Sequence, residues 1–450
     1  MSILTKAIGT AKKVKHALKD EIDRRTPVYL SPVRRLERVR TSERVCAMTF
    51  DDGPMNLPCS PDHHGGKPLT LVLLETLEAH GGKGTFDIVG DTSTNYPDEP
   101  GKHGSASWGG VAYDHYPDFN KDVWGGAAHC PELVQRILDG GHQITNHTYA
   151  HVLFGKKPLV YGARKHLNSL TEVTDDLQKL HALLQKDFGY EMEYMRPPHY
   201  VDKIHGGFNS YDACAVMGYQ YMAASFDGAG WLPCATYEQE VEACWKPIEA
   251  ALKADPDALC GQIIFQKDGY NMARRTPIAD GLGKALEILQ QYGYKVITVK
   301  ELVEHYSPFE DLGTEDVLYP SVKHLHDRGY TVAFRNNKIL SDTPMTRGAL
   351  AMLVYGQKAI KRRIAIMEGK QKLRTGDVKP AHPYSGAISM ALENGSLTLI
   401  GNKFRPDAPL DKAAFDQFCR NVYGRIPELH GELTHGNVIH ALARLEGLEG

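Results

Sequence analysis

The sequence predicts an α/β protein, a distorted (β/α) barrel followed by a small helical tandem-repeat domain. Three observations carry this expectation. From Val45 to Tyr306 short apolar stretches alternate with helical ones, the rhythm of parallel strands joined by crossover helices. At 450 residues the chain exceeds one ordinary domain. Beyond Pro308 its character changes and it repeats itself.

Strands are expected at 45–50, 84–89, 143–146, 194–196, 219–226, 262–266 and 295–298, where β-branched and aromatic residues cluster between turn residues. Helices are expected between them, at 69–79, 131–139, 167–188, 210–217, 237–254 and 276–292. Strands and helices in this alternation fit an incomplete or distorted barrel rather than an open nucleotide-binding sheet, and in a barrel the functional residues gather at the strand C-terminal ends. Between 90 and 130 lies a long Gly-, Ser- and His-rich segment with Trp108 and Trp124, which reads as a wall for a sugar ring.

Composition excludes some classes. A net charge of -3 argues against a nucleic-acid partner, and no apolar run approaches the ~20 residues of a membrane span. Residues 1–43 form a basic stretch expected to be a helical extension. Its loose amphipathic pattern (Ile3, Leu4, Ile8, Val14, Leu18) suits a solvated helix packed on the next domain, or contact with a membrane surface. It lacks the apolar core of a secretory signal, so a cytoplasmic location is expected. The eight cysteines show no C-x-x-C pair, which fits a reducing compartment, although an even count leaves disulfides open.

The chemistry centres on Thr49-Phe50-Asp51-Asp52-Gly53-Pro54, where an apolar strand runs into a Gly-Pro turn. Neighbours on an extended chain point in different directions, so one carboxylate can bind a metal while the other faces substrate as a base. The alternative is a plain strand-capping turn. Downstream, His147 and His151 are four apart, and on a helical turn both imidazoles would lie on one face. With Asp52 they would offer two nitrogens and one oxygen and leave positions open, as a catalytic zinc requires.

Taken in order, these motifs resemble the polysaccharide deacetylase family, the NodB-homology enzymes of carbohydrate esterase family four. The resemblance covers about 44–306 and rests on 49–54, on His147 with His151, on Arg196-Pro197-Pro198-His199-Tyr200, on Asp227 to Trp231, and on Phe265-Gln266-Lys267-Asp268. It implies a barrel of NodB-homology type that removes N-acetyl or O-acetyl groups from an amino sugar or polysaccharide. Asp52, His147 and His151 would be ligands of a divalent metal, zinc first among candidates. Asp51 would be the base, held by Arg196. His199 and Tyr200 would bind substrate, one of them supplying a backbone N–H to the oxyanion, and Asp227, Trp231 and Phe265 would line the pocket.

Two positions depart from the family. The histidine expected to protonate the leaving amine is Lys267, and the aspartate that tunes it is Gly230. Lys267 is then expected to act as an acid of lowered pKa or as a fixed cation for the oxyanion. Asp268, His199 or Asp227 are alternatives, as is Asp51 acting as both base and acid. A different scissile amide, formyl or cyclic imide, and a carbohydrate-binding pseudoenzyme are the competing readings.

In the tail, Tyr319, Pro344, Met345, Arg347, Ala349 and Leu353 recur at an offset of 65 as Tyr384, Pro409, Leu410, Lys412, Ala414 and Phe418, with a third partial copy from Thr434. Residues 309–450 resemble S-layer homology repeats through Pro344-Met345-Thr346-Arg347, Pro409-Leu410-Asp411-Lys412 and Phe404-Arg405-Pro406-Asp407. The resemblance implies a cell-wall polymer as partner and the cell surface as the alternative location. Self-association through the repeats is the other reading.

Overall fold

A strand buried on both faces reads as a continuous apolar run, and Val45–Asp51 (β2) does so, every residue of it being buried. It is an inner strand of a parallel sheet in this computed structural model, which describes residues 28–56, 59, 64–91, 107–108, 111–112, 125–155, 166–271, 275–429 and 431–448. The amphipathic pattern from Ile3 to Leu18 lies outside them. So does most of the segment between 90 and 130, including Trp124; a short antiparallel ribbon, Ser107–Trp108 with Val111–Ala112, belongs to the described part.

The other strands are Arg35–Leu36 (β1), Thr85–Ile88 (β3), Gln143–Asn146 (β4), Tyr194–Met195 (β5), Gln220–Met222 (β6), Phe226–Asp227 (β7), Ile263–Lys267 (β8) and Lys295–Ile297 (β9). Their order is β1-β6-β5-β4-β3-β2-β8-β7, with β9 beside the first half of β2. β6 lies next to one edge and β7 forms the other, yet only Ala223–Ser225 separate them. One kinked strand therefore serves both ends, and the sheet must curl into a distorted barrel to let it. The single strand expected at 219–226 is thus two. Its halves have different partners: Ala223 N–H donates to Leu36 O at 2.7 Å, whereas Ser225 N–H donates to Ile263 O at 3.1 Å.

Crossover helices cover the sheet: Leu69–Ala79 (α1), Pro131–Asp139 (α2), Leu170–Phe188 (α3), Ser210–Met217 (α4), Tyr237–Ala243 (α5), Lys246–Ala254 (α6), Ile278–Gln291 (α7) and Val299–His305 (α8). α3 begins later than expected because Ser169 forms a capping box with Glu172, and it ends at Gly189 with φ 63°. The helix expected over 237–254 is two helices, broken at Cys244–Trp245. Pro247 has no N–H to continue α5 and instead sits in the first turn of α6.

The helical extension expected over 1–43 is corrected in its described part. Residues 28–43 run extended, contribute β1, and make antiparallel bridges from Leu30 to Phe334, Arg38 to Gln262 and Arg40 to Ser307. Pro32 interrupts any helical ladder here, and burial is the larger cause. Leu30 enters the core of the repeats, Val33 that of the barrel, and Leu36 and Val39 a third cluster beneath the sheet.

The tail contains Tyr319–Asp327 (α9), Arg347–Tyr355 (α10), Ile360–Met367 (α11), Ser385–Glu393 (α12), Lys412–Tyr423 (α13) and His435–Leu445 (α14). The side chains of Thr346, Asp411 and Thr434 cap α10, α13 and α14 in the same way, each accepting from the N–H three residues on. The three starts meet: Thr346 bridges to Pro409, and Pro344 to Thr434.

His435, at the first of these positions inside α14, is buried and stacked on Phe334 at 4.9 Å. Burial pulls its imidazole from the ordinary 6.5 down to about 4. The unfolded chain therefore takes up this proton first, and the stability His435 contributes is lost as pH falls from about 6.5 to about 4. Denaturant unfolding across that window should show a loss of up to about 3 kcal/mol that His435→Phe removes.

Candidate metal centre

Register puts the chemistry in one row. Across neighbouring parallel strands Lys267 pairs with Asp51, Asp51 with Asp87, and Asp87 with Thr145, so residues at equal height come together at the strand C-terminal ends. His147 directly follows β4 and Arg196 directly follows β5. Asp52 turns out of β2 with φ 83°. Gly53 is required beside it, because a Cβ there would overlap the Asp268 carboxylate. Six of the nine non-glycine residues with positive φ among the described residues belong to these loops: Asp52, Thr148, His151, His199, Tyr200 and Ala229. Strain of this kind is sustained only where surrounding contacts over-determine the backbone.

Asp52, His147 and His151 converge, their donor atoms lying within 4.8 Å of one another. Asp52 Oδ1 is 3.2 Å from His147 Nε2 and 3.3 Å from His151 Nε2. The helical turn expected to align the histidines is absent. Residues 147–151 form an irregular turn, in which Thr148 N–H donates to Asn146 Oδ1 at 2.9 Å and Tyr149 N–H to Asp176 Oδ1 at 2.7 Å. His147 Nδ1 lies 2.7 Å from Asp87 Oδ2 and 2.8 Å from the Arg196 carbonyl. Both are acceptors, so Nδ1 carries the proton and Nε2 faces Asp52.

The donor set fits a divalent cation. His151 is kept neutral, because burial lowers it to about 4. Burial also opposes a charge on His147, but Asp87 and Asp52 outweigh it and raise the imidazole to about 10; binding a cation through Nε2 would require His147 to release this second proton. Asp52 is likewise buried, yet Lys267 and the two histidines hold its carboxyl well below the usual carboxylate range.

Asp51 stands beside this cage. Its Oδ1 accepts from Arg196 Nη1, while its Oδ2 lies 4.0 Å from His147 Nε2. Burial pushes Asp51 up to about 6 against the opposing pull of Arg196 and His147. Arg196 is fully buried; it also donates to Thr49 Oγ1 at 3.0 Å and to Ala223 O at 3.2 Å.

The remaining candidates divide. The His199 ring lies 5.5 Å from that of His151, tilted by 51°, and the rings of Tyr200 and Phe265 lie 5.7 and 5.8 Å from the Arg196 guanidinium, so all three border the centre. Tyr200 N–H donates to Pro197 O at 3.0 Å, so it is spent inside its own turn and does not suit the oxyanion role. Asp227 accepts from Ala229 N–H at 2.8 Å and from Trp231 Nε1 at 3.1 Å, orienting the indole. Lys267 forms an ion pair with Asp52 Oδ2. Asp268 is taken up by Thr70 Oγ1 at 2.7 Å. A Cβ on Gly230 would lie 3.0 Å from both Cys244 Sγ and Gln266 Oε1, which fill that side. Asp87, which orients His147 and accepts from Thr145 Oγ1 at 2.5 Å, escapes motif reasoning; an aspartate inside the apolar run Phe86-Asp87-Ile88-Val89 is the signal that could have found it.

Fold and centre together define a (β/α) barrel with an aspartate and two histidines gathered at its strand ends. Residues 38–203 match the family model for polysaccharide deacetylase, and residues 374–415 match that for the S-layer homology domain. The chain is 24% identical over 297 residues to a Listeria monocytogenes peptidoglycan-N-acetylglucosamine deacetylase, PgdA, covering 65% of this chain and 46% of that protein. It is 25% identical over 153 residues to a Bacillus cereus peptidoglycan-N-acetylglucosamine deacetylase, covering 34% of this chain and 35% of that one. The match thus spans less than half of each relative. Among solved structures, the chitin deacetylase of Colletotrichum lindemuthianum aligns with a TM-score of 0.41 at 17% identity, over 62% of this chain and 92% of its own.

Removing Arg196 leaves a buried carboxylate unpaired. Arg196→Met should lower the unfolding free energy by about 3–5 kcal/mol, and adding Asp51→Leu should restore part of it, as read by denaturant titration.

Proposed function

We propose that the chain is a metal-dependent deacetylase that hydrolyses the N-acetyl group of an amino sugar within a cell-wall or related polysaccharide. The observation that carries this reading is the convergence of Asp52, His147 and His151 beside an Asp51 that Arg196 holds. Zinc is the ion proposed, because two neutral imidazoles and one carboxylate with open positions suit it. When bound, it would polarise the acetyl carbonyl and acidify the attacking water.

The chain's own groups handle the proton. Asp51 Oδ2 faces the cage while Oδ1 is fixed on Arg196, so Oδ2 takes the proton as the water oxygen bonds to the acetyl carbon. A carboxyl raised to about 6 is ionised near neutral pH and still basic enough for this task. We assign the return of that proton to Asp51 as well. Lys267 is engaged by Asp52, Asp268 by Thr70, and Gly230 has no carboxylate. The C–N bond breaks as the sugar amine accepts the proton, and acetate leaves. His199, Phe265 and the Asp227-oriented Trp231 are proposed to position the sugar and the acetyl methyl, with the ring of Tyr200 at the rim.

The S-layer homology match supports the cell surface over the cytoplasm as the place of action, with a wall polymer as partner of the repeats. Arg347 marks a limit to that role. Its guanidinium donates inward to the carbonyls of Phe404 and Thr398, at 2.9 and 2.5 Å, and so serves the fold rather than a polymer. The ion pair between Lys267 and Asp52 favours a second reading, a metal-poor glycan-binding protein with slow turnover.

The metal-treated protein should release acetate from N-acetylglucosamine oligomers, lose that activity to a chelator and regain it with zinc. Asp51→Asn should lower kcat by about 10²–10⁴-fold with zinc content unchanged. A zinc-loaded protein that binds the oligomer without releasing acetate would select the binding reading. Parallel assays on N-formyl, O-acetyl and cyclic-imide substrates decide the scissile group.

A further inference from the structure

One carboxylate, Asp52, is engaged at both ends. Oδ1 faces the two imidazole nitrogens at 3.2 and 3.3 Å, and Oδ2 carries the ammonium of Lys267. Lys267 cannot easily withdraw. It is the last residue of β8, its partner across the sheet is Asp51, the following N–H of Asp268 donates to Asp51 O at 2.7 Å, and its side chain is only 15% exposed.

Charge makes the consequence plain. Asp51, Asp52 and Asp87 are three buried carboxylates, and Arg196 and Lys267 are two cations among them. Asp268, bound by Thr70 and pushed up by burial to about 7, adds no full charge. Without Lys267, a divalent ion would bring this cluster to neutrality. With Lys267 in place, the same ion leaves it net positive, and two cations share one carboxylate in a poorly solvated space.

We infer that Lys267 is a built-in counter-cation of the metal centre, which holds Asp52 in ligand position while weakening the centre's affinity for a divalent ion. The inference rests on the metal-centre reading above and goes beyond it. Loading then depends on the free metal concentration, and Lys267 acts on the ligand Asp52 rather than on substrate. It is a positioning residue, not a catalytic one.

The test is a zinc titration of the full chain, stripped of metal, in competition with a chromophoric chelator, together with thermal unfolding with and without zinc. Lys267→Met and Lys267→Gln should each bind zinc about tenfold to a hundredfold more tightly than the parent. Both should melt lower than the parent without metal and gain more from zinc. Equal or weaker zinc binding by the two variants overturns the inference. Asp52→Asn separates this failure from a failure of the metal-centre reading. If the parent binds no zinc that Asp52→Asn abolishes, the centre itself is misassigned, and the role of Lys267 falls with it.

Discussion

The fully buried guanidinium of Arg196 is the contact on which the rest of the barrel end depends. It bonds Thr49 and Asp51 on β2 and reaches Ala223 O, at the kink where one strand passes from one side of the sheet to the other. Its backbone carbonyl accepts from His147 Nδ1. A single residue thus fastens the seam of the barrel, the proposed base and a proposed ligand. A buried charge is costly unless its partners are complete, and here completeness requires the seam to be closed. Closure of the fold and geometry of the centre are therefore one condition.

That dependence explains which parts were legible in the sequence. Asp51 with Asp52, and His147 with His151, stand out because they end apolar runs and occur in a family's order. The strand at 143–146 and the helices at 69–79, 131–139 and 210–217 were legible because their apolar patterns are local, and Asn209 caps the last of them. What stayed hidden is set by distant partners. Arg35–Leu36 is too short to show a period, and it is a strand because Tyr221 and Met222 pair with it. The break at Ala223–Ser225 is imposed by partners on different strands, Leu36 on β1 and Ile263 on β8, which the local sequence does not announce. The turn that unites the histidines is built by Asn146 and by Asp176 on α3, so a spacing of four suggested a helix where none exists.

The segment after residue 28 also changes how the two parts of the chain relate. Ser31 N–H donates to Ala333 O, Arg35 N–H to Arg335 O, and Arg335 N–H back to Tyr29 O, so the strand that completes the barrel edge is stitched to the repeats. Arg34 Nη1 bonds Asn337 Oδ1 at 3.1 Å, Arg363 on α11 pairs with Asp212 on α4, and Arg335 lies 4.4 Å over the ring of Tyr211. Leu30 fills the repeat core while Val33, three residues on, fills the barrel core. A continuous backbone that serves both cores makes independent motion of the two parts expensive.

Both departures from the family lie on the same side of the centre, and packing shows why they go together. Gln266, one residue before Lys267, is fully buried, and its Nε2 donates to Cys244 O at 3.0 Å. That bond places Oε1 and Cys244 Sγ where a side chain at 230 would begin. A carboxylate at 230 would need Gln266 to leave this bond, and without that carboxylate a histidine at 267 would lack the partner that tunes it in the family. A lysine has no such need, because its ammonium reaches Asp52 directly. On the reading proposed above, Lys267 holds the proposed ligand Asp52 where the family's histidine would hand over a proton. In the proposed mechanism the proton relay then rests on Asp51, whose Oδ2 lies 4.0 Å from His147 Nε2 while its Oδ1 is held by Arg196.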